Sequence, residues 1–82
     1  MPGMKEQTTI RLYEDPAVPT ACDDARYEAD DLKGWNVERG DTVPLTEREG
    51  GRLFAVIDHV EEQVHTDDDG HRYKTAVVWT QD

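Results

Sequence analysis

RLFAVIDHVEEQVHTDDDGHRYKTAVVWT, residues 52–80, sets two runs rich in valine, threonine and aromatic residues on either side of Asp67-Asp68-Asp69-Gly70. Asp-Gly between two such runs is a strong hairpin signal, because these residues tolerate the backbone conformations that reverse a strand. The stretch therefore predicts a long strand over residues 52–64, a reversal at 67–70 and a return strand over 71–80. In the first strand Phe54, Val56, Val60 and Val64 share one parity, interrupted by Asp58 and Glu62, which assigns that parity to the core. With Asp69-Gly70 as the central pair, Val64 faces Thr75 and Val60 faces Trp79. A slip of one residue sets Val64 against Tyr73 and Val60 against Val77, and apolar matching prefers this second register.

Working outward, residues 8–13 alternate, with Ile10 and Leu12 on one face, and Glu14-Asp15-Pro16 ends that strand. Residues 20–33 form the best helix candidate. Thr20 can cap it, Asp23 favours its first turn, and Gly34 follows it where a left-handed residue is wanted. Its apolar face is Ala21, Cys22, Ala25, Ala29 and Leu32. Residues 35–37 read as a short strand, Arg39-Gly40-Asp41 as a tight turn, and 42–46 as a strand carrying Val43 and Leu45 inward, with Pro44 marking it as an edge. The expected fold class is α+β, with one helix packed on a curled antiparallel sheet or a small, partly open barrel. Residues 1–82 make a single domain, residues 1–6 a disordered tail, and Trp79 the plug of the core.

Length and composition narrow the function classes. A chain of 82 residues buries only about 60–65% of its unfolded surface, so the core is thin. Cys22 is the one cysteine, which rules out an intrachain disulfide, a paired-thiol zinc site and a CxxC redox pair. No window approaches the roughly 18 apolar residues of a membrane span. A cytoplasmic location with no membrane partner is the expectation.

The formal net charge is −10, from 19 acidic and 9 basic residues spread along the whole chain. Asp outnumbers Glu, and arginine outnumbers lysine. This composition resembles that of small haloarchaeal proteins, and the resemblance implies a halophilic cytoplasm. At about 1 M salt the Debye length is near 3 Å, so crowded carboxylates are screened. Stability is then expected to rise with salt, and mild acidification at low salt to relieve repulsion.

The runs Gly34-Trp35-Asn36-Val37-Glu38-Arg39-Gly40-Asp41-Thr42-Val43-Pro44-Leu45 and Phe54-Ala55-Val56-Ile57-Asp58-His59-Val60 resemble the barrel half of PUA-like and ASCH-like domains, and more broadly SH3-like small barrels. The resemblance implies a small β-barrel, with RNA as the kind of partner such domains take.

Several groups are candidates for chemistry. His65, Asp67 and His71 at the hairpin are weak metal candidates; their spacing fits no EF-hand, and a solvated turn is the simpler reading. Tyr73 between Arg72 and Lys74 suggests a ring-and-cation binding patch, to which His59 is added. His59 with Glu61 has the form of an acid/base pair, but no nucleophile or oxyanion hole accompanies it. Cys22 reads as a small buried residue. No catalytic residue and no cofactor is assigned. The expected function is a small, non-enzymatic binding or regulatory domain whose partner is a nucleic acid or another protein. The alternative is an acidic inhibitor or DNA mimic that occupies a basic groove.

Overall fold

The computed structural model describes residues 5–81. Its elements are β1 (Lys5–Tyr13), β2 (Ala21–Cys22), β3 (Tyr27–Glu28), β4 (Thr42–Glu47), β5 (Arg52–Thr66) and β6 (Arg72–Gln81). They form one 6-stranded antiparallel sheet in the order β2-β1-β6-β5-β4-β3. The two outermost strands, β2 and β3, are brought back together by the short turn that joins them, so the sheet curls into a small, nearly closed β-barrel.

There is no helix among the described residues, and the expected α+β class is corrected to all-β. Residues 20–33 instead form β2, a turn and β3. An apolar face made mostly of alanine buries too little area to hold a helix on the sheet. Aspartates in the segment also bond their own backbone: Asp24 Oδ1 accepts the Arg26 N–H at 2.9 Å and Asp31 Oδ1 accepts the Leu32 N–H at 3.0 Å. Backbone groups of β1 and of Arg48, just past β4, take others, as Asp23 N–H donates to Thr9 O at 3.1 Å and Arg48 N–H to Arg26 O at 3.0 Å. Leu32, assigned to the helix face, is exposed. The strand expected at 35–37 is likewise irregular chain. β1 takes in Lys5 and Glu6 of the segment expected as a tail, and the rest of that segment lies outside the described residues.

The barrel interior holds Ile10 and Leu12 of β1, Val43 and Leu45 of β4, Ala55 and Ile57 of β5, Ala76 and Val78 of β6, and Tyr27 of β3. On β5 this is the opposite parity to the expected one. Phe54 points outward and is 61% exposed. The register explains the choice: Val43 lies opposite Ala55 and Leu45 opposite Leu53, so the inward side chains of β4 select the odd residues of β5. Alanine at 55 and 76 fits the narrow lumen of a small barrel. At Asp58 the pairing of β5 with β6 shifts by a bulge, after which Val60 turns toward the core. Pro44 sits on β4 beyond the reach of β3, so its missing N–H breaks no ladder.

The hairpin reverses at residues 67–71 by neither expected register. Thr66 lies opposite Arg72, His65 opposite Tyr73 and Val64 opposite Lys74. Gly70 N–H donates to Asp67 O and Asp67 N–H to His71 O, each at 3.0 Å, which makes a three-residue loop with Gly70 at φ 85°. A two-residue turn of the most favoured kind needs positive φ at Asp69 as well. Among the described residues only glycines adopt it.

Candidate functional site

The expected ring-and-cation patch is divided by the pleat. Tyr73 projects from the outer wall of the barrel, while Arg72 and Lys74 project from the other face of β6 and meet Trp35. Lys74 Nζ lies 4.6 Å from the Trp35 ring centre, and the Trp35 indole N–H donates to Leu12 O at 2.7 Å. Trp35, absent from the expected site, thus caps the open end of the barrel.

On the outer wall Tyr13, Tyr73 and His65 sit opposite one another on β1, β6 and β5. The His65 ring stacks on Tyr73 at 5.3 Å from one side, and the Arg11 guanidinium lies 4.6 Å over the same ring from the other strand. Tyr13 is tilted against Tyr73 and meets the edge of His71 at 6.0 Å. Only 8% of Tyr13 is exposed, and burial pushes its hydroxyl above its ordinary value. Tyr73 is thus packed between His65, Tyr13 and Arg11, and the cluster braces the projecting hairpin.

The groups singled out as a metal site are already engaged. Asp67 Oδ1 accepts the N–H groups of Asp69 and His71, each at 2.9 Å, and these backbone bonds hold its carboxyl below the ordinary aspartate value. His65 and His71 pack on tyrosines. Among the described residues no group of His, Cys, Asp and Glu comes together as a metal site. Cys22 is half-buried, its thiol donates to Thr9 O at 3.7 Å, and burial raises its pKa.

His59 belongs to a different neighbourhood. Its Nδ1 lies 2.7 Å from Asp58 Oδ2, and Asp58 Oδ1 accepts the Trp79 indole N–H at 3.3 Å. Asp58, and not Glu61, is therefore the carboxylate beside His59. The bulge delivers this carboxylate between the two rings, and their bonds lower its pKa. Trp79, expected as the core plug, lies on the outer wall opposite Val56, and Pro44 lies opposite Phe54. Pro44, Phe54, Val56 and Trp79 make an apolar patch on that wall, with Asp58 and His59 at its rim. The sequence signal for it is the register imposed by Val43 and Leu45.

Two clefts flank Tyr27. One of about 340 Å³ runs along the seam between β2 and β3, floored by Ala21, Cys22 and Ala29. The seam is pinned at its ends by Tyr27 N–H to Asp24 O and Thr20 N–H to Asp31 O. The other, about 490 Å³, lies between Glu6, Arg26, Glu47 and Arg48.

Comparison with known proteins finds no matching family model, no matching curated protein and no matching solved structure. No helix of the described residues is long and apolar enough to cross a membrane.

Proposed function

We propose that the chain is a non-catalytic protein-binding module that engages its partner through the outer wall around Phe54. The observation that carries this reading is the exposure of Phe54 at 61% beside Pro44, Val56 and Trp79. A large aromatic side chain held outward on a rigid strand, with apolar neighbours and a polar rim, has the make-up of an interface hot spot. With a chain charge of −10, the partner surface is basic around its apolar contact.

A nucleic-acid partner, as the PUA-like and ASCH-like resemblance implies, has less to support it. Cations that would meet phosphates are paired within the chain: Arg11 with Asp23 at 2.8 Å, Arg72 with Glu14 at 3.2 Å and Arg26 with Glu6 at 3.0 Å. The acidic-mimic alternative needs carboxylates in rows on one face. Glu47 and Glu49 lie at the β4–β5 turn, whereas Asp67, Asp68 and Asp69 lie at the far end of β5. Halophilic surroundings are consistent with this spread.

The test is site-specific photocrosslinking in the native cell extract, with benzoylphenylalanine in place of Phe54 and, as control, in place of the exposed Glu38. A discrete adduct from position 54 alone, competed by the wild-type chain and not by Phe54→Ser, supports the module. A folded Phe54→Ser chain that competes as well as wild type refutes it.

A further inference from the structure

We propose that the outer half of β5, residues 60–66, is a strand-addition site for an extended basic segment of a partner protein. The inference rests on the partner being a protein, but it uses a part of the molecule separate from Phe54.

β5 is 15 residues long, and β4 pairs with it only from Arg52 to Val56. Gly40 and Asp41 extend that contact to Ile57, with Gly40 N–H donating to Ile57 O at 2.9 Å and Ile57 N–H to Asp41 O at 2.8 Å. Beyond this point β6 is the strand partner of β5, on one edge. The direction of the backbone groups follows from the turn. Asp67 N–H donates to His71 O, which makes that pair hydrogen-bonded. Antiparallel pairs alternate, so His65 and Tyr73 are bonded while Val64–Lys74 and Thr66–Arg72 are not. The N–H and C=O of Val64 and Thr66 therefore point away from β6, along an edge that no other strand of the described residues takes. Glu14 N–H donating to Arg72 O at 2.8 Å agrees, since it shows the Arg72 backbone turned toward β1.

An unpaired strand edge is a template for another strand. The side chains beside it state the chemistry of what it accepts. Glu61, Glu62, Gln63, Val64 and Thr66 are exposed, with Val64 at 38%, and Asp68 and Asp69 stand at the end of the strand. The nearby cations face elsewhere: Arg72 pairs with Glu14, and both Arg72 and Lys74 lie over Trp35. A second copy of this chain would set Glu61 and Glu62 against like charges, whereas lysines or arginines alternating with apolar residues would meet them and Val64. The irregular pairing between Val60 and Val64 keeps the regular landing short, so the addition is weak and reversible.

The probe is an acetylated nine-residue peptide alternating lysine with valine and threonine, titrated into the isotope-labelled full chain. Its controls are the same peptide N-methylated at alternate amides and a version with glutamate for lysine. The expected result is a shift of the residue 60–66 amides, with exchange at Val64 and Thr66 slowed about tenfold, the scale of an added hydrogen bond. Neither control peptide should bind. Val64→Pro removes an outward N–H and leaves the β6 ladder intact, so affinity should fall several-fold with the melting temperature held. If that chain fails to fold, Thr66→Pro and the N-methylated peptide decide. Equal binding of the N-methylated peptide, or no shift in residues 60–66, overturns the inference. Shifts confined to Phe54 and Trp79 overturn it while leaving the reading of the wall in place.

Discussion

Trp35 donates its indole N–H to the carbonyl oxygen of Leu12 at 2.7 Å. The bond ties the irregular segment after β3 to the end of β1, and Arg72 and Lys74 cover the same ring. The open end of the barrel is thus stoppered by one side chain.

Trp35→Phe keeps a smaller aromatic ring and removes the donor, and it should lower stability by about 1–2 kcal/mol from the lost bond and the lost ring area. Trp35→Ala also removes the cap and should cost about 3 kcal/mol. Urea unfolding of both variants checks the order. Equal midpoints for Trp35→Phe and Trp35→Ala would show that the ring does not cap the barrel.

The facing of β5 is tested by a pair of alanine substitutions. Ile57 is 1% exposed and should lose roughly 2–4 kcal/mol on truncation, whereas the outward Phe54 should lose under about 1 kcal/mol. A larger loss at Phe54 than at Ile57 would restore the parity read from the sequence.

Acid stability should follow the hydrogen-bonded aspartates. Asp24 is held below its ordinary value of 3.8 by Arg26, Asp58 by His59 and then Trp79, and Asp67 by backbone N–H groups. A folded-state pKa below the unfolded one gives stability that is full above the unfolded value and disappears as pH falls through the folded one. The melting temperature should therefore be insensitive to these groups near neutrality and fall below about pH 4. For these three groups the sign is opposite to that of the relief of repulsion expected from acid, which acts through the net charge of −10 and not through their local bonds. Asp67→Asn should shrink the loss, and melts at successive pH values measure it.

Salt should stabilise the fold. The ion pairs of Arg26, Arg48 and Arg72 are exposed to water and screened by it, so they offset little of the repulsion of a net charge of −10. Going from dilute buffer to about 1 M potassium chloride cuts the screening length to roughly 3 Å. The melting temperature should rise by about 5 °C or more. A melt unchanged by salt would remove repulsion as a factor in stability.

Much of the candidate site was hidden in the sequence. Tyr73, Arg72 and Lys74 are neighbours in a strand, so the pleat alone sends Tyr73 to one face and the two cations to the other. What no local signal marks is the aromatic partner on each face, Trp35 for the cations and Tyr13 and His65 for Tyr73. The apolar wall was hidden because Phe54 and Val56 look more like core residues than Ala55 does.

The sequence by itself determined the strands that turn chemistry and alternation mark: residues 8–13, 42–46, and the long hairpin reversed at Asp67 to Gly70. These depend on neighbours a few residues apart, where proline, glycine and aspartate act directly on the backbone. Only the tertiary structure decided that residues 20–33 pair as β2 and β3. Their helical signals are local, while the open edges of β1 and β4 that claim their backbone groups come from distant parts of the chain. It also decided which face of β5 is inside. That choice belongs to Val43 and Leu45 across the ladder, and the bulge at Asp58 then turns Val60 inward and leaves Phe54 and Trp79 on the outer wall.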